Sequence, residues 1–362
     1  MFAMLCGAWP RVTFDGVDIA ALEDAVAEGR EERAVLEAAV ERLAAEVVAA
    51  QVAAGMDLVT DGQVRWPDLG AAVLDAAAAR RLGEDGPLVA AWRAASAMAP
   101  GAMVAQAVPG PYTLGRRAVE IAVARAEAAG ETPPDESVRE TSRSSVAIAL
   151  ADALAGEIEA LAAAGCPMIL VEEPDAVRIG GDKEERALFA AASSRLLARA
   201  GAIHPMLVIV GGSAHEAGPE AIFAAPWQSV LVDLVAGPDN WNLVRATPGD
   251  RGVVCAALTV RDDDLLVDQS PQLVWAAHYA ASSNDRGGAR VGIANASSLV
   301  AHTPDRARRA LADLATAARY AAMTPADAVD AGMDPRTISD ARPIPANRAA
   351  RRRKAREAGT DR

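Results

Sequence analysis

Residues 56–63 read Met-Asp-Leu-Val-Thr-Asp-Gly-Gln, and residues 168–174 read Met-Ile-Leu-Val-Glu-Glu-Pro. Each stretch is a short apolar run that ends abruptly in acidic residues and a turn former. Each also follows a long alanine-rich helical pattern, which closes on Gly55 in the first case and on Gly165 in the second. A helix that leads directly into an apolar strand with carboxylates at its end is the repeating unit of a parallel α/β fold.

The helix before the first stretch is clear from its periodicity. Leu36, Val40, Leu43 and Val47 recur at intervals of four, three and four residues, which places them on one helical face. We therefore predict a helix over residues 31–54. Glycine directly after such a pattern is typical of a helix C-terminus.

The same alternation continues along the chain and predicts eight short strands. We place them at residues 2–6, 56–60, 102–108, 168–171, 206–210, 230–234, 253–260 and 290–293. Eight strands are the number that closes a (β/α)8 TIM barrel. The alternative is a doubly wound open sheet, which needs a glycine-rich phosphate turn after its first strand, and the sequence at Cys6–Pro10 does not match one. We predict a single TIM-barrel domain over residues 1–325.

Composition narrows the classes of function. Hydrophobic residues make up 51% of the 362 residues, and the net charge is −13, which argues against nucleic acid as a general partner. The three cysteines are far apart and form no Cys-x-x-Cys pair, which favours a cytoplasmic protein. We expect no signal peptide and no membrane-spanning segment.

The C-terminal extension, residues 326–362, ends in a basic tail. Residues 348–362 contain seven basic and two acidic side chains, a net charge of +5. Such a tail can bind RNA or an acidic surface. The alternative, which we favour, is a solvated and disordered terminus.

In a barrel of this kind the site is built from residues just past each strand. The polar residues at those positions are Trp9, Arg11, Asp61, Gln63, Arg65, Tyr112, Thr113, Glu172, Glu173, Ser213, His215, Asp233, Asp262, Asp263, Asp264, Asp268, Gln269, Asn295, Ser297 and Ser298. A rim so rich in acids and amides suits a ligand with an ammonium group, or a polar heterocycle with hydrogen-bond donors. An acidic residue at a strand end can equally cap a helix or hold a loop.

Glu172 and Glu173 are the most informative pair on this rim. Adjacent residues of an extended segment point to opposite faces, so we expect one carboxylate in the barrel mouth and the other in a neighbouring loop. An ion pair with Arg178 is the alternative. Among the four histidines, none has the spacing of a metal site, and only His215 follows a strand end where a ligand or an acid–base group belongs.

Five motifs fall in order at the ends of the predicted strands. They are Gly7-Ala8-Trp9-Pro10-Arg11, the segment Ala54–Gln63, Gly110-Pro111-Tyr112-Thr113-Leu114, Glu172-Glu173-Pro174 and Asp268-Gln269-Ser270-Pro271. Together they resemble the catalytic C-terminal barrel of cobalamin-independent methionine synthase, over roughly residues 1–325. The matching family segments are Gly-Ser-Phe-Pro-Arg, Ala-Gly-Leu-Asp-x-x-Thr-Asp-Gly-Glu, Gly-Pro-x-Thr-Leu, Asp-Glu-Pro and Ile-His-Ser-Pro.

The resemblance implies a TIM barrel of methyltransferase ancestry and a place in methionine biosynthesis. Members of the family transfer a methyl group to a thiol from a folate or, in shorter forms, from a corrinoid protein. A zinc ion held by His, two Cys and a carboxylate activates that thiol, because zinc lowers the thiol pKa until a thiolate is present at neutral pH.

The sequence departs from the family at the zinc ligands. Where the family has His-x-Cys after the fifth strand, this chain has Gly211-Gly212-Ser213, and the final Cys corresponds to about Ser297. Only the carboxylate ligand, near Asp233, is still acidic. One Asp with neighbouring Ser and Gly does not hold a catalytic zinc, so we expect no metal site. A replacement site built from His215, Asp233 and Cys255 is the alternative.

The departures also reach the residues that the family uses to bind its substrates. The family's amino-group-binding Glu falls on Gln63, which keeps a carbonyl acceptor but loses the charge, whereas Glu172 keeps its charge. The catalytic His before Ser-Pro becomes Gln269. The aromatic residue that stacks on folate has no counterpart in Gly115-Arg116-Arg117.

We therefore expect a methionine-synthase-like barrel that binds or acts on a small, amino-acid-like ligand, with its zinc-thiolate site lost or remodelled. The expected substrate-binding residues are Gly7, Ala8, Trp9, Gln63 and Glu172, and the expected catalytic residues are Asp233, Gln269 and His215. A folate or a corrinoid is the methyl donor that the family implies. Two alternatives stay open: a metal-free enzyme of the uroporphyrinogen decarboxylase type, which an acidic rim disfavours, and a non-catalytic ligand-binding or partner protein.

Overall fold

The computed structural model describes residues 1–260 and 269–333. Its eight strands are all parallel and form one closed barrel in sequential order. They are β1 Phe2–Met4, β2 Leu58–Val59, β3 Met103–Pro109, β4 Met168–Glu172, β5 His204–Ile209, β6 Ser229–Asp233, β7 Gly252–Leu258 and β8 Val291–Asn295. The predicted TIM barrel is confirmed.

Helices between and after the strands surround the barrel. They are α1 Ile19–Ala27, α2 Arg33–Ala54, α3 Leu69–Ala78, α4 Pro87–Met98, α5 Pro111–Ala128, α6 Glu136–Ala164, α7 Lys183–Leu196, α8 Pro219–Ile222, α9 Trp241–Ala246, α10 Ser270–Ser282, α11 Pro304–Ala321 and α12 Pro325–Asp330. Among the helices that the structure describes, none has the length and apolar character needed to cross a bilayer. The basic tail, residues 348–362, and the acidic residues Asp262, Asp263, Asp264 and Asp268 lie outside the described residues.

Several strands are shorter or shifted relative to their apolar runs. The largest difference is β2, predicted over residues 56–60 and found only at Leu58–Val59. Thr60 is not part of the sheet, because its backbone N–H and carbonyl are both hydrogen-bonded to the buried side-chain amide of Gln51. The Thr60 N–H donates to Gln51 Oε1 at 3.1 Å, and Gln51 Nε2 donates to the Thr60 carbonyl at 2.7 Å.

Helix ends follow the sequence signals in most places. Gly55 ends α2 in the left-handed conformation, with φ of 81°, as predicted. Ser137 and Glu140 have the spacing of a capping box, but they do not form one. Helix α6 already begins at Glu136, so Ser137 lies inside the helix and cannot cap it.

The apolar core has two parts. One lies inside the barrel and contains Met4, Cys6, Leu58, Ala105, Leu170, Met206, Val208, Leu231, Val254, Ala256 and Ala294. The other is larger and lies between the sheet and the helices. Alternation along each strand assigns neighbouring residues to the two parts.

The side chain of Asn295 closes the barrel between its last and first strands. Its Oδ1 accepts the Cys6 N–H at 2.9 Å, and its Nδ2 donates to the carbonyls of Cys6 and Ser297, each at 2.7 Å. Asn295 is completely buried. One amide therefore satisfies three backbone groups at the point where β1 has ended and no strand partner is available.

We predict that Asn295→Ala lowers the free energy of unfolding by about 2–4 kcal/mol, because buried backbone groups lose their partners. Urea denaturation measures the change. Asn242→Ala is the matched control, since its amide bonds only to Arg245 on the surface, and it should change stability by less than about 0.5 kcal/mol. Equal effects of the two variants would contradict this role for Asn295.

Candidate functional site

Gln63 and Glu172 meet across the carboxyl-terminal mouth of the barrel. Gln63 Nε2 donates to Glu172 Oε1 at 2.6 Å, although the two residues are 109 positions apart in the chain. Glu172 is the last residue of β4, and Gln63 lies in the turn that follows β2. The structure thus brings together the two strand ends on which the sequence prediction of a ligand site rests.

The turn that carries Gln63 has an unusual backbone. Gly62 and Gln63 both have left-handed conformations, with φ of 65° and 57°. The Gln63 N–H donates to Asp61 Oδ1 at 2.9 Å, which stabilises the turn. A non-glycine residue at positive φ costs free energy, and residues held in this way are concentrated at functional sites.

Glu173 points in the other direction, as strand alternation predicts. Its carboxylate accepts the N–H groups of Tyr112 and Thr113 at 3.0 and 2.8 Å and the Thr113 hydroxyl at 2.7 Å. It therefore caps the N-terminus of α5. Gly110 is required beside it, because a Cβ there would lie 2.0 Å from Glu173 Cδ. The alternative ion pair with Arg178 is not formed, since Arg178 contacts Asp175 and Glu120 instead.

Burial sets the protonation of the groups in the mouth. It raises the pKa of Glu172 to about 7, and the hydrogen bond from Gln63 opposes this shift. Burial also raises the pKa of the Cys6 thiol far above its ordinary value, with the nearby carboxylates of Glu172 and Asp233 adding to the effect. At neutral pH Cys6 is a protonated, unreactive thiol, whereas Glu172 lies close to its titration midpoint.

The Gly7-Ala8-Trp9 segment is held against both neighbouring loops. The Trp9 N–H donates to the Gly62 carbonyl at 2.8 Å, and the Ala8 carbonyl accepts the Leu299 N–H at 2.9 Å. Gly7 and Ala8 are partly exposed, but the Trp9 ring is fully buried in the core between sheet and helices. The structure therefore places the backbone of this segment near the mouth and the indole ring behind it.

Asp233 ends β6, and its carboxylate is bonded to the backbone. Its Oδ2 accepts the Gly211 N–H at 3.0 Å, and its Oδ1 accepts the N–H groups of Val235 and Ala236, both at 2.8 Å. The side chain is 2% exposed. Asp233 thus fixes the loops that follow β5 and β6.

Gln269 and His215 differ in how firmly they are held. The amide of Gln269 pairs with the backbone of Thr259, accepting its N–H at 3.0 Å and donating to its carbonyl at 2.7 Å. His215 is half-buried on a short 3-10 helix after β5, and its backbone N–H contacts Ser213 Oγ at 3.4 Å. The structure joins Gln63 to Glu172 by a hydrogen bond. Among the described residues, no hydrogen bond or ion pair links Asp233, Gln269 or His215 to this pair.

Asn240 is a buried organiser of the mouth that the sequence prediction missed. Its Nδ2 donates to the carbonyls of Gly212 and Asp233 at 2.9 and 2.8 Å, and its Oδ1 accepts the Ala214 N–H at 2.9 Å. In the sequence, Asn240 follows Gly-Pro-Asp, a pattern that is typical of exposed turns and so did not indicate a buried side chain. Only the fold reveals that this amide is completely buried.

The donor set does not fit the zinc ion that the family resemblance implies. Within residues 1–260 and 269–333, no three His, Cys, Asp or Glu side chains are grouped closely enough to hold a metal ion. The oxygens of Asp233 are bonded to backbone N–H groups. Cys255 contacts the Ala276 carbonyl of α10 through its Sγ, at 3.7 Å, so the alternative site with His215 and Asp233 is not assembled.

No protein-family model and no curated protein sequence matches this chain. Solved structures do share its barrel. A structure from Shewanella sp. W3-18-1, a B12-independent methionine synthase in complex with selenomethionine, matches with a TM-score of 0.64 at 14% identity, over 91% of this chain and 98% of that chain. A Listeria monocytogenes protein provisionally assigned as a vitamin-B12-independent methionine synthase gives 0.60 at 13% identity, over 89% and 96%.

A methyltransferase from Methanosarcina mazei also matches, with a TM-score of 0.50 at 12% identity, over 88% of this chain and 94% of that chain. At such identities the likeness shows the fold alone. The chain therefore shares the barrel fold of these three structures.

The raised pKa of Glu172 predicts a pH-dependent gain in stability for Glu172→Gln. The folded pKa of about 7 lies above the ordinary 4.5, so the folded chain binds the proton more tightly. Stability from this group is therefore complete below about pH 4.5 and is lost as pH rises to about 7. The variant should match the wild type near pH 4.5 and exceed it by about 1–3 kcal/mol at pH 8.

Urea denaturation at both pH values measures this difference. Glu120→Gln, at an exposed glutamate, is the control and should show no such pH dependence. A variant that is less stable than the wild type at pH 8 would show that Glu172 is a structural carboxylate and not a strained site residue.

Proposed function

We propose that this chain binds a small amino-acid-like ligand at the carboxyl-terminal mouth of its barrel, with the ligand ammonium group on Glu172. The observation that carries the proposal is the bond between Gln63 and Glu172, which joins two motifs across the mouth. The fold likeness supports it, because the structure from Shewanella, in the same fold, holds selenomethionine.

The free atoms of this pair suit an ammonium group. The bond uses Gln63 Nε2 and Glu172 Oε1, whereas Gln63 Oε1 and Glu172 Oε2 accept no hydrogen bond from the described residues. An ammonium group has three donors and a positive charge. The amide oxygen of Gln63 and the free carboxylate oxygen of Glu172 offer it two acceptors, and the ionised carboxylate of Glu172 is its charge partner.

In this proposal the other predicted site residues have supporting roles around the Gln63–Glu172 pair. The backbone of Gly7 and Ala8, which is partly exposed beside the Gln63 turn, contacts the remainder of the ligand. Trp9 supports this backbone from the core. Asp233 and Gln269 position loops, because their polar atoms are bonded to the backbone. His215 is the candidate acid–base group, since it is half-buried after β5.

We further propose that the chain does not perform zinc-dependent methyl transfer to a thiol. The donor set does not fit zinc, and the Cys6 thiol beside Glu172 is shifted away from the thiolate. Chemistry of the uroporphyrinogen decarboxylase type is not favoured, because Arg11 and Arg65 at this rim are bonded to Glu23 and Glu41. A role in binding the ligand, with or without further chemistry, is the function that the geometry supports best.

Binding of L-methionine tests the ammonium site. Because only ionised Glu172 attracts the ammonium group, affinity should rise about tenfold per unit between pH 5.5 and 7 and level off above that. Glu172→Gln should weaken binding about 10- to 100-fold at pH 8 and remove the pH dependence. Isothermal titration calorimetry gives both quantities.

Glu120→Gln serves as the control and should bind as the wild type does. The proposal is contradicted if L-methionine and L-homocysteine both fail to bind at pH 8, and that result would favour the non-catalytic partner protein. It is equally contradicted if binding is present but unchanged by Glu172→Gln.

Metal analysis tests the second proposal. Protein purified without chelator should contain well under one zinc per chain, and added zinc should not change the apparent affinity for L-homocysteine. Stoichiometric zinc that survives dialysis would overturn the proposal, since it would require a ligand set outside the described residues.

A further inference from the structure

A cavity of about 670 Å³ lies at the amino-terminal end of the barrel, opposite the mouth. The first residue of every strand from β1 to β7 lines it, among them Phe2, Leu58, Met168 and Ser229. Its volume is in the range of small-molecule binding sites. The proposed function makes no use of this end of the barrel.

Small residues leave this end of the barrel unfilled. β6 begins with Ser229 and β7 begins with Gly252, where larger side chains would close the floor. A Cβ at position 252 would lie 2.3 Å from Ser229 Oγ. Glycine is therefore needed at that position if the hydroxyl group is to stay at the cavity wall.

His204 and Ser229 form a polar pair on this wall. His204 Nε2 lies 2.7 Å from Ser229 Oγ, and Ser229 is 6% exposed. Burial lowers the pKa of His204, which favours the neutral ring. If Nε2 accepts from Ser229, the ring keeps a donor at Nδ1; if Nε2 donates, the hydroxyl keeps its own proton to donate. In either tautomer the pair has one donor left for an acceptor.

Three further donors line the cavity. The indole N–H of Trp227 is buried and has no acceptor among the described residues. The side chains of Arg251 and Arg290 form no ion pair with a described carboxylate. Among the described residues, their only side-chain hydrogen bonds are long ones, 3.4 Å, to the carbonyls of Phe223 and Arg286. Arginines without a carboxylate partner are suited to an anionic group.

Two carboxylates also lie on the cavity wall. Asp57 uses its Oδ2 to accept the Ala3 N–H at 3.0 Å, so it is part of the barrel edge, and Asp250 is exposed next to Arg251. Both carboxylates repel an anion, so the anionic head group of a ligand must be bound by the arginines and the His204–Ser229 pair.

We propose that this cavity binds an anionic small molecule with an apolar body, of the class of a medium-chain carboxylate. Arg251, Arg290 and the His204–Ser229 pair bind the carboxylate. The apolar body packs against Phe2, Leu58 and Met168, which lie at the floor of the barrel interior.

Calorimetric titration of the full chain with octanoate tests the proposal, with octylamine as the probe of opposite charge. Octanoate should bind at least tenfold more tightly than octylamine. In the series from hexanoate to decanoate, affinity should rise about three- to fourfold for each CH2 group. Equal affinity for octanoate and octylamine would overturn the assignment of an anion site.

Two variants locate the binding. Arg290→Gln, at an exposed position, and Ser229→Ala should each weaken octanoate binding at least fivefold. Arg199→Gln is the matched control, an exposed arginine of the helical shell paired with Glu159, and should have no effect. Glu172→Gln should also have no effect, because it lies at the other end of the barrel. Octanoate binding that neither Arg290→Gln nor Ser229→Ala weakens would contradict the proposal, and the exposed Arg290 keeps the test informative even if Ser229→Ala fails to fold.

Discussion

Each strand of a closed parallel barrel leaves its last backbone groups without a partner, and these groups must be satisfied inside a crowded rim. In this chain buried amides and carboxylates do so. Asn295 joins β8 to the end of β1, Gln51 holds Thr60 after β2, and Glu173 caps α5 beside β4. Asp233 and Asn240 fix the loops after β5 and β6. The polar rim is therefore mainly a support for the loops, and the side chains that it leaves free define where a ligand can bind.

Gln63 and Glu172 differ from these rim residues, which bond to backbone groups. Their hydrogen bond joins two side chains and leaves one oxygen free on each. Gln63 has a positive φ, and Glu172 is partly buried with its pKa raised to about 7. Both features cost stability, as is common for residues that serve function rather than folding. Hydrogen bonds also connect the strand-end motifs to one another: Trp9 bonds to Gly62 in the turn after β2, and Glu173 bonds to Thr113 in the segment after β3.

The sequence was sufficient for the number and order of the strands, because helix periodicity and short apolar runs follow from burial alone. It also predicted the opposite directions of Glu172 and Glu173, since alternation is a property of any strand. It did not predict the strand ends, where Gln51 competes with the sheet for Thr60. Nor did it separate Asp233 and Gln269, which bond to backbone, from Gln63 and Glu172, because all four are polar residues at strand ends. The sequence did not predict the cavity around Ser229, because the cavity results from small residues at the starts of strands and these form no recognisable motif.

The central claim is that Glu172 binds the ammonium group of an amino-acid-like ligand. The most direct test is a crystal of the protein, made with ordinary methionine and soaked with L-selenomethionine. The ligand then holds the only selenium in the crystal, and its anomalous signal locates the ligand. We predict that the ligand lies in the carboxyl-terminal mouth, with its amino nitrogen within about 3 Å of Glu172 Oε2. A ligand that is bound with its amino group away from Glu172, or that is found only in the amino-terminal cavity, would contradict the claim.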